Sequence, residues 1–363
     1  MEPYLSRLAA LRAQMASCRL AAAILAPTDH MRYLVGWAES GHERLLALVV
    51  TPDAARIVAP ALNAADASAN ARSLSGVIPW TDADGWASAM AQALGDAAGG
   101  CVGIDDELHA GHLLRLQDMF PQARFSSVSG AMSALRAVKD AAELELLGRS
   151  AEITDDVCDV ALRSLREGMT ELELQGIIAE AYRERSVGMT FCIVGFGPNS
   201  AMPHHATDET RLRTGDVVII DIGCGLQGYQ SDITRTVAFG TPDPEAVEVY
   251  RIVRRAHEAV YGACRAGVAA CELDRAARRV IEEAGYGPRF FHRLGHGIGL
   301  SGHEHPYITE GNAEPLALGN CFSNEPGVYL DGRFGVRIEN CMVVTEDGGA
   351  SLNRNAPLEL PIL

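Results

Sequence analysis

The run from Val217 to Ile222 is apolar and β-branched except for one acid, Asp221. Such a run reads as a buried strand, and a lone carboxylate inside it is costly unless something neutralises it. Glycines at 223, 225 and 228 allow a tight reversal, after which Tyr229 to Phe239 reads as the partner strand that returns Asp232 toward Asp221. The same shape recurs later, with Glu325 entering one strand and Glu339 leaving the next around a turn at Asp331 and Gly332. Four carboxylates packed together must either keep protons or hold cations between them. With His296 standing between the two acid pairs, the donors are rich in oxygen and carry one imidazole. That combination suits manganese, iron, cobalt or zinc, and two such ions roughly 3.5–4 Å apart can clamp a bridging hydroxide. Cys224 sits near Asp221 but reads as a small core residue beside so hard a ligand set.

The segments "HRLGHGIGL", "NEPGVY" and "GVRIEN", in that order, resemble the pita-bread metallopeptidases: prolidases, aminopeptidase P, methionine aminopeptidase and the metal-free creatinases. The upstream third is similar to the creatinase-type N-terminal domain, with "HMRYLVGW" as its local match. The resemblance implies that Asp221 chelates one metal, that His296 and Glu325 hold the other, and that Asp232 and Glu339 bridge the pair. Creatinases lack that ligand set, so its presence points to metal-dependent hydrolysis. Two divalent ions per chain, Mn2+ or alternatively Co2+ or Zn2+, would generate the hydroxide, and Glu325 would relay its proton to the departing amine. The resemblance also implies that His204 and His303 are catalytic, His303 as an oxyanion donor, and that His292 faces substrate. Arg337 would brace the site or bind substrate.

Methionine aminopeptidases need only the catalytic domain, so the extra first third favours an Xaa-Pro dipeptidase acting on small proline-containing peptides. Many prolidases place an arginine after the second histidine to receive the substrate carboxylate, whereas this chain has Tyr307 there, a candidate substrate contact in its own right, and no arginine from Leu294 to Asn324. Arg44 and Arg337 are the replacement candidates. Asn340 is a second departure, standing where the family usually has an acid. Aminopeptidase P, a creatinase-like non-peptidase hydrolase and a binding protein are the alternatives.

The expected architecture is an α/β N-terminal domain over residues 1–132 and an α+β pita-bread catalytic domain over 133–363. Helices precede each acid pair, which gives the second domain a pseudo-two-fold symmetry. The stretch from Leu135 to Leu165 reads as one long helix at their junction. The segment Gly195 to Asn199 reads as a substrate-side turn. A formal net charge of −16 disfavours nucleic acid and anionic membranes as partners. Nine cysteines without paired short spacings suggest reduced thiols in a cytoplasm, and the start reads as an amphipathic helix, not a signal peptide. A homodimer is expected by analogy with the resembling families.

Overall fold

The computed structural model describes residues 3–363, which divide into two compact units meeting between Arg136 and Ala137. In the first unit there are six strands, the first five from β-branched or alanine-rich runs: β1 (Ala22–Leu25), β2 (Ala47–Val50), β3 (Ala55–Pro60), β4 (Gly76–Trp80), β5 (Cys101–Ile104) and β6 (Arg124–Ser127). They hydrogen-bond in the order β4-β3-β2-β1-β5-β6. The β1–β2 and β2–β3 pairs are antiparallel, and the remaining pairs are parallel. Trp86, Met90 and Leu116 join the apolar face of this sheet in one buried core.

The expected long junction helix is two helices, Ser129–Ala137 and Ala141–Arg163. Asp140 interrupts them as an N-cap: its carboxylate accepts from Glu143 N, while Glu143 returns the bond to Asp140 N. This reciprocal capping box satisfies two backbone donors that a continuous helix would leave no need for.

The second unit contains three hydrogen-bonded sheets. Strands β7 (Gly188–Phe196), β8 (Val217–Leu226), β9 (Tyr229–Gln230) and β10 (Ile233–Ala238) form the first, with β8 central between β10 and β7. Strands β11 (Gly295–Gly297), β12 (Glu304–Ile308), β13 (Cys321–Asn324), β14 (Gly327–Leu330), β15 (Phe334–Arg337), β16 (Asn340–Thr345) and β17 (Gly348–Ser351) form the others. Five of them pair as β12-β11-β13-β16-β17, and β14 pairs with β15 alone. The partner strand of β8 is therefore not continuous; it breaks at Ser231 and Asp232. Helices Glu171–Glu184, Pro244–Ala263 and Ala270–Glu283 line these sheets. Their apolar faces join two buried cores, one built on Val157, Ile178 and Ile220, the other on Val253, Leu273 and Phe322.

Two glycines decide how closely the second group of sheets can pack. A Cβ on Gly295 would strike the carbonyl of Ser323, and one on Gly297 would strike the backbone of His305. His296 is thus flanked by residues that let β11 lie between its neighbours with no side chain in the way. Among the described residues, no helix is long and apolar enough to cross a membrane. All nine cysteines are free thiols.

Candidate metal centre and substrate cavity

All five expected ligands open onto one cavity of about 780 Å³. Asp221 sits in β8 directly opposite Thr234 of β10. The other acids occupy breaks between strands: Asp232 between β9 and β10, Glu325 between β13 and β14, Glu339 between β15 and β16. A break frees a side chain from the alternation of a pleated strand, so it can turn toward a common point. Glu339 N donates to Thr234 O at 3.1 Å, which docks the glutamate joint on the aspartate hairpin.

The donors converge. Ligand atoms of Asp232, His296 and Glu339 lie within 4.8 Å of one another, all three residues being buried. His296 Nε2 stands 3.3 Å from Glu325 Oε1 and 3.8 Å from Asp232 Oδ2. Its Nδ1 faces the carbonyl oxygen of Gly297 at 3.2 Å, so the hydrogen belongs on Nδ1 and the Nε2 lone pair points at carboxylate oxygens. Burial pushes this imidazole down to about 3, so it stands neutral.

Asp221 Oδ1, Asp232 Oδ1 and Glu339 Oε1 are buried and have no hydrogen-bond partner. Burial, then repulsion from Glu339, Asp221 and Glu325, raises the Asp232 carboxyl well above its ordinary value. Glu339 is raised well above its own for the same reasons, and burial lifts Glu325 to about 7. Orphaned carboxylate oxygens facing a neutral imidazole lone pair are the environment that a divalent cation relieves and a protein-only network does not. The residues fit a metal centre.

Three other oxygens of the acids are braced. Thr234 Oγ1 donates to Glu339 Oε2 at 2.7 Å, and Ser323 Oγ donates to Glu325 Oε1 at 3.0 Å. Arg337 donates to Asp221 Oδ2 at 2.6 Å, to Tyr329 Oη at 2.9 Å and to Thr234 Oγ1 at 3.0 Å. This buried guanidinium braces the site and also lines the cavity.

His204, His292 and His303 all line the cavity. His303 lies over His296 with ring centroids 3.8 Å apart, and burial followed by repulsion from Arg293 and His204 lowers its affinity for a proton. His205, the neighbour of His204, turns away and meets Glu171 at 2.7 Å. Glu171, His205 and Asp208 also bring potential ligand atoms together. There Glu171 already accepts from Phe196 N, Asn199 Nδ2, His205 Nε2 and Asp208 N, so its oxygens serve as a loop anchor. Asn199 takes part in that anchor, and the cavity wall comes from Pro203 and His204 instead of the segment 195–199.

Sequence reasoning missed Arg293, which lines the cavity and has no ion-pair or hydrogen-bond partner among the described residues. It rests over the Tyr307 ring at 4.6 Å, which gives Tyr307 a supporting place behind the wall. The signal was present: Arg293 lies one residue before the arginine-free window and between two histidines of the motif. Arg44 belongs to the first unit, where Asp82 chelates its guanidinium at 2.9 and 3.1 Å and Glu43 adds a contact at 2.9 Å. The Asn340 amide donates to Ser351 Oγ and Asn355 Oδ1, neither of which lines the cavity. Cys224 lies among the hydroxyls of Ser150, Thr154 and Ser231 as a buried thiol.

A buried, oxygen-rich donor cluster on the floor of an open cavity, carried by a mixed α/β framework, defines a metalloenzyme. Metallopeptidase family M24 matches residues 145–346, and the creatinase/prolidase N-terminal domain matches residues 7–138. The chain belongs to metallopeptidase family M24; it is a metallopeptidase with a creatinase-type N-terminal domain and the pita-bread catalytic fold. It is 39% identical to the probable dipeptidase PepE of Mycobacterium tuberculosis over 100% of this chain and 97% of that protein. It is 38% identical to the Xaa-Pro dipeptidase of Lactobacillus helveticus, covering 87% and 88% of the two chains. The crystal structure of recombinant prolidase from Thermococcus sibiricus superposes with a TM-score of 0.93 at 34% identity, covering 100% of both chains.

Proposed function

We propose that this metallopeptidase hydrolyses the Xaa-Pro bond of dipeptides. The observation that carries the reading is the pairing, in one cavity, of carboxylates with orphaned oxygens and a guanidinium, Arg293, that spends no hydrogen bond or ion pair on the described residues. Relatives named dipeptidase and Xaa-Pro dipeptidase support it. Asp221, Asp232, His296, Glu325 and Glu339 would hold two divalent cations, with manganese well suited to so oxygen-rich a set. When bound there, the metals supply Lewis acidity, making water acidic near neutral pH and polarising the scissile carbonyl.

The chain's own residues do the rest. Glu325, held at Oε1 by Ser323, takes the proton of the attacking water and delivers it to the departing proline nitrogen. His204 and His303 present ring N–H groups from the cavity wall to the carbonyl oxygen as charge develops on it. Arg293 receives the C-terminal carboxylate of the dipeptide, a charge-assisted contact that a longer peptide would place elsewhere.

The test compares Xaa-Pro with Xaa-Pro-Yaa peptides in a manganese-supplemented assay, with a chelator control. A dipeptidase should favour the dipeptide by roughly tenfold or more in kcat/KM, and Arg293→Met should raise KM for the dipeptide selectively. Preference for the tripeptide would reassign the chain to aminopeptidase P activity, and chelator-insensitive turnover would reject the metal-dependent reading.

A further inference from the structure

His292 lines the cavity wall, yet both of its ring nitrogens are already engaged. Nδ1 lies 2.7 Å from the carbonyl oxygen of Arg293, and Nε2 lies 3.0 Å from Tyr329 Oη. A carbonyl oxygen only accepts, so Nδ1 carries a hydrogen. Burial pushes the ring down to about 4, so it holds one hydrogen only, and Nε2 is a lone pair. A guanidinium only donates, so Tyr329 Oη accepts from Arg337 Nη1 at 2.9 Å and gives its own hydrogen to His292 Nε2. The chain of donation runs one way: Arg337 to Tyr329, Tyr329 to His292, His292 to the Arg293 backbone. Its first member also donates to Asp221.

Phe290 stands edge-on to the imidazole at a centroid distance of 5.0 Å, and Phe291 does so at 6.3 Å, so the ring is packed as well as bonded. Neither an N–H nor a lone pair is left over for a substrate atom. The adjacent residue is the opposite case. Among the described residues Arg293 spends no side-chain donor on the protein, and its guanidinium rests on the face of Tyr307.

We propose that His292 is a positioning residue whose Nδ1–H clamps the Arg293 carbonyl and so sets the direction in which the Arg293 guanidinium enters the cavity. Arg337 and Tyr329 enter only by fixing the tautomer: the Tyr329 hydrogen on Nε2 keeps the imidazole hydrogen on Nδ1, where the clamp needs it. This rests on the reading that Arg293 receives the dipeptide carboxylate. It differs from a direct substrate contact by His292, which the sequence motif suggests.

Two variants separate these roles, because asparagine places an N–H near the Nδ1 position and glutamine places an oxygen near Nε2. His292→Asn keeps the bond to Arg293 and should leave KM for an Xaa-Pro dipeptide within about threefold of the parent, on the scale of a preserved hydrogen bond. His292→Gln keeps the Tyr329 bond but releases Arg293, and should raise that KM roughly tenfold while kcat changes little. In an Arg293→Met background neither substitution should change KM further. Equal losses in the two variants, or losses that add to that of Arg293→Met, would overturn the proposal. If Arg293→Met alone leaves KM for the dipeptide unchanged, the carboxylate reading fails first, and the two failures are thereby distinguished. A second measurement needs no variant: imidazole nitrogen shifts of the zinc-loaded enzyme at neutral pH should show His292 protonated at Nδ1 and bare at Nε2. A proton on Nε2 would likewise overturn it.

Discussion

At the scale of single residues, the carboxylate cluster is unstable by construction until something positive joins it. Without metal, the folded-state proton affinities of Asp232 and Glu339 exceed those of free side chains, whose ordinary values are 3.8 and 4.5. Between those values and the raised ones, the folded protein binds more protons than the unfolded chain. The favourable contribution of the protonated site is therefore full below the ordinary values and is lost as pH rises through the raised ones. Glu325, lifted to about 7, extends one such window to neutrality. Metal-stripped protein should accordingly lose melting temperature between about pH 5 and about pH 8 relative to the metal-loaded form. A gap between the two forms that narrows with rising pH would contradict this account. Asp232→Asn removes one repelling charge, so the stripped variant should melt higher than the stripped parent, by on the order of 1 kcal/mol. With metal supplied, the same variant should lose more than about 100-fold in kcat/KM together with bound metal, since even outer partners of a ligand cost up to that much. Metal analysis alongside calorimetry checks both halves.

At the scale of elements, the breaks matter as much as the strands. An alternating or fully buried run announces a strand, and a single acid inside it announces a site, which is why Asp221 and Asp232 were legible. The interruption at Ser231 and Asp232, and the joints holding Glu325 and Glu339, come from docking between sheets, such as Glu339 N on Thr234 O. Local propensity carries no record of that contact. The broken junction helix was legible in principle, because Asp140 and Glu143 form the spacing of a capping box. Helical periodicity across the break outweighed it. Arg293 was missed for a different reason: adjacency in sequence to His292 says nothing about which side chain is spent on the protein. Gly297 gives a test at this scale. Alanine there must push against the His305 backbone, so Gly297→Ala should cost about 2 kcal/mol or more and weaken metal retention by moving His296. Gly262→Ala, on an exposed helical position with nothing within 4 Å of the added carbon, should instead stabilise by about 0.5–1 kcal/mol. Denaturant titration of the two variants measures both, and equal effects would remove the packing argument.

At the scale of the molecule, metals held by these residues would belong to the stability of the catalytic unit as well as to its chemistry. Binding to the folded chain alone stabilises by an amount that grows with free metal, about 2.7 kcal/mol at 100 times the dissociation constant. Chelation should lower the melting temperature and abolish peptidase activity together, and manganese should restore both; a chelator effect on activity alone would place the metals outside the folding equilibrium. What the sequence by itself determined was the α/β first part with its mixed second part, the family, and the acids and histidines that gather on one cavity, because buried charges in apolar strands and glycines beside them are constraints written locally. Which donors stay orphaned, which cation is left free, and which way the hydrogens run from Arg337 to Arg293 were decided only by the tertiary structure. Those properties depend on how partners distant in the chain share their hydrogen-bonding capacity, and such sharing exists only once the sheets have packed.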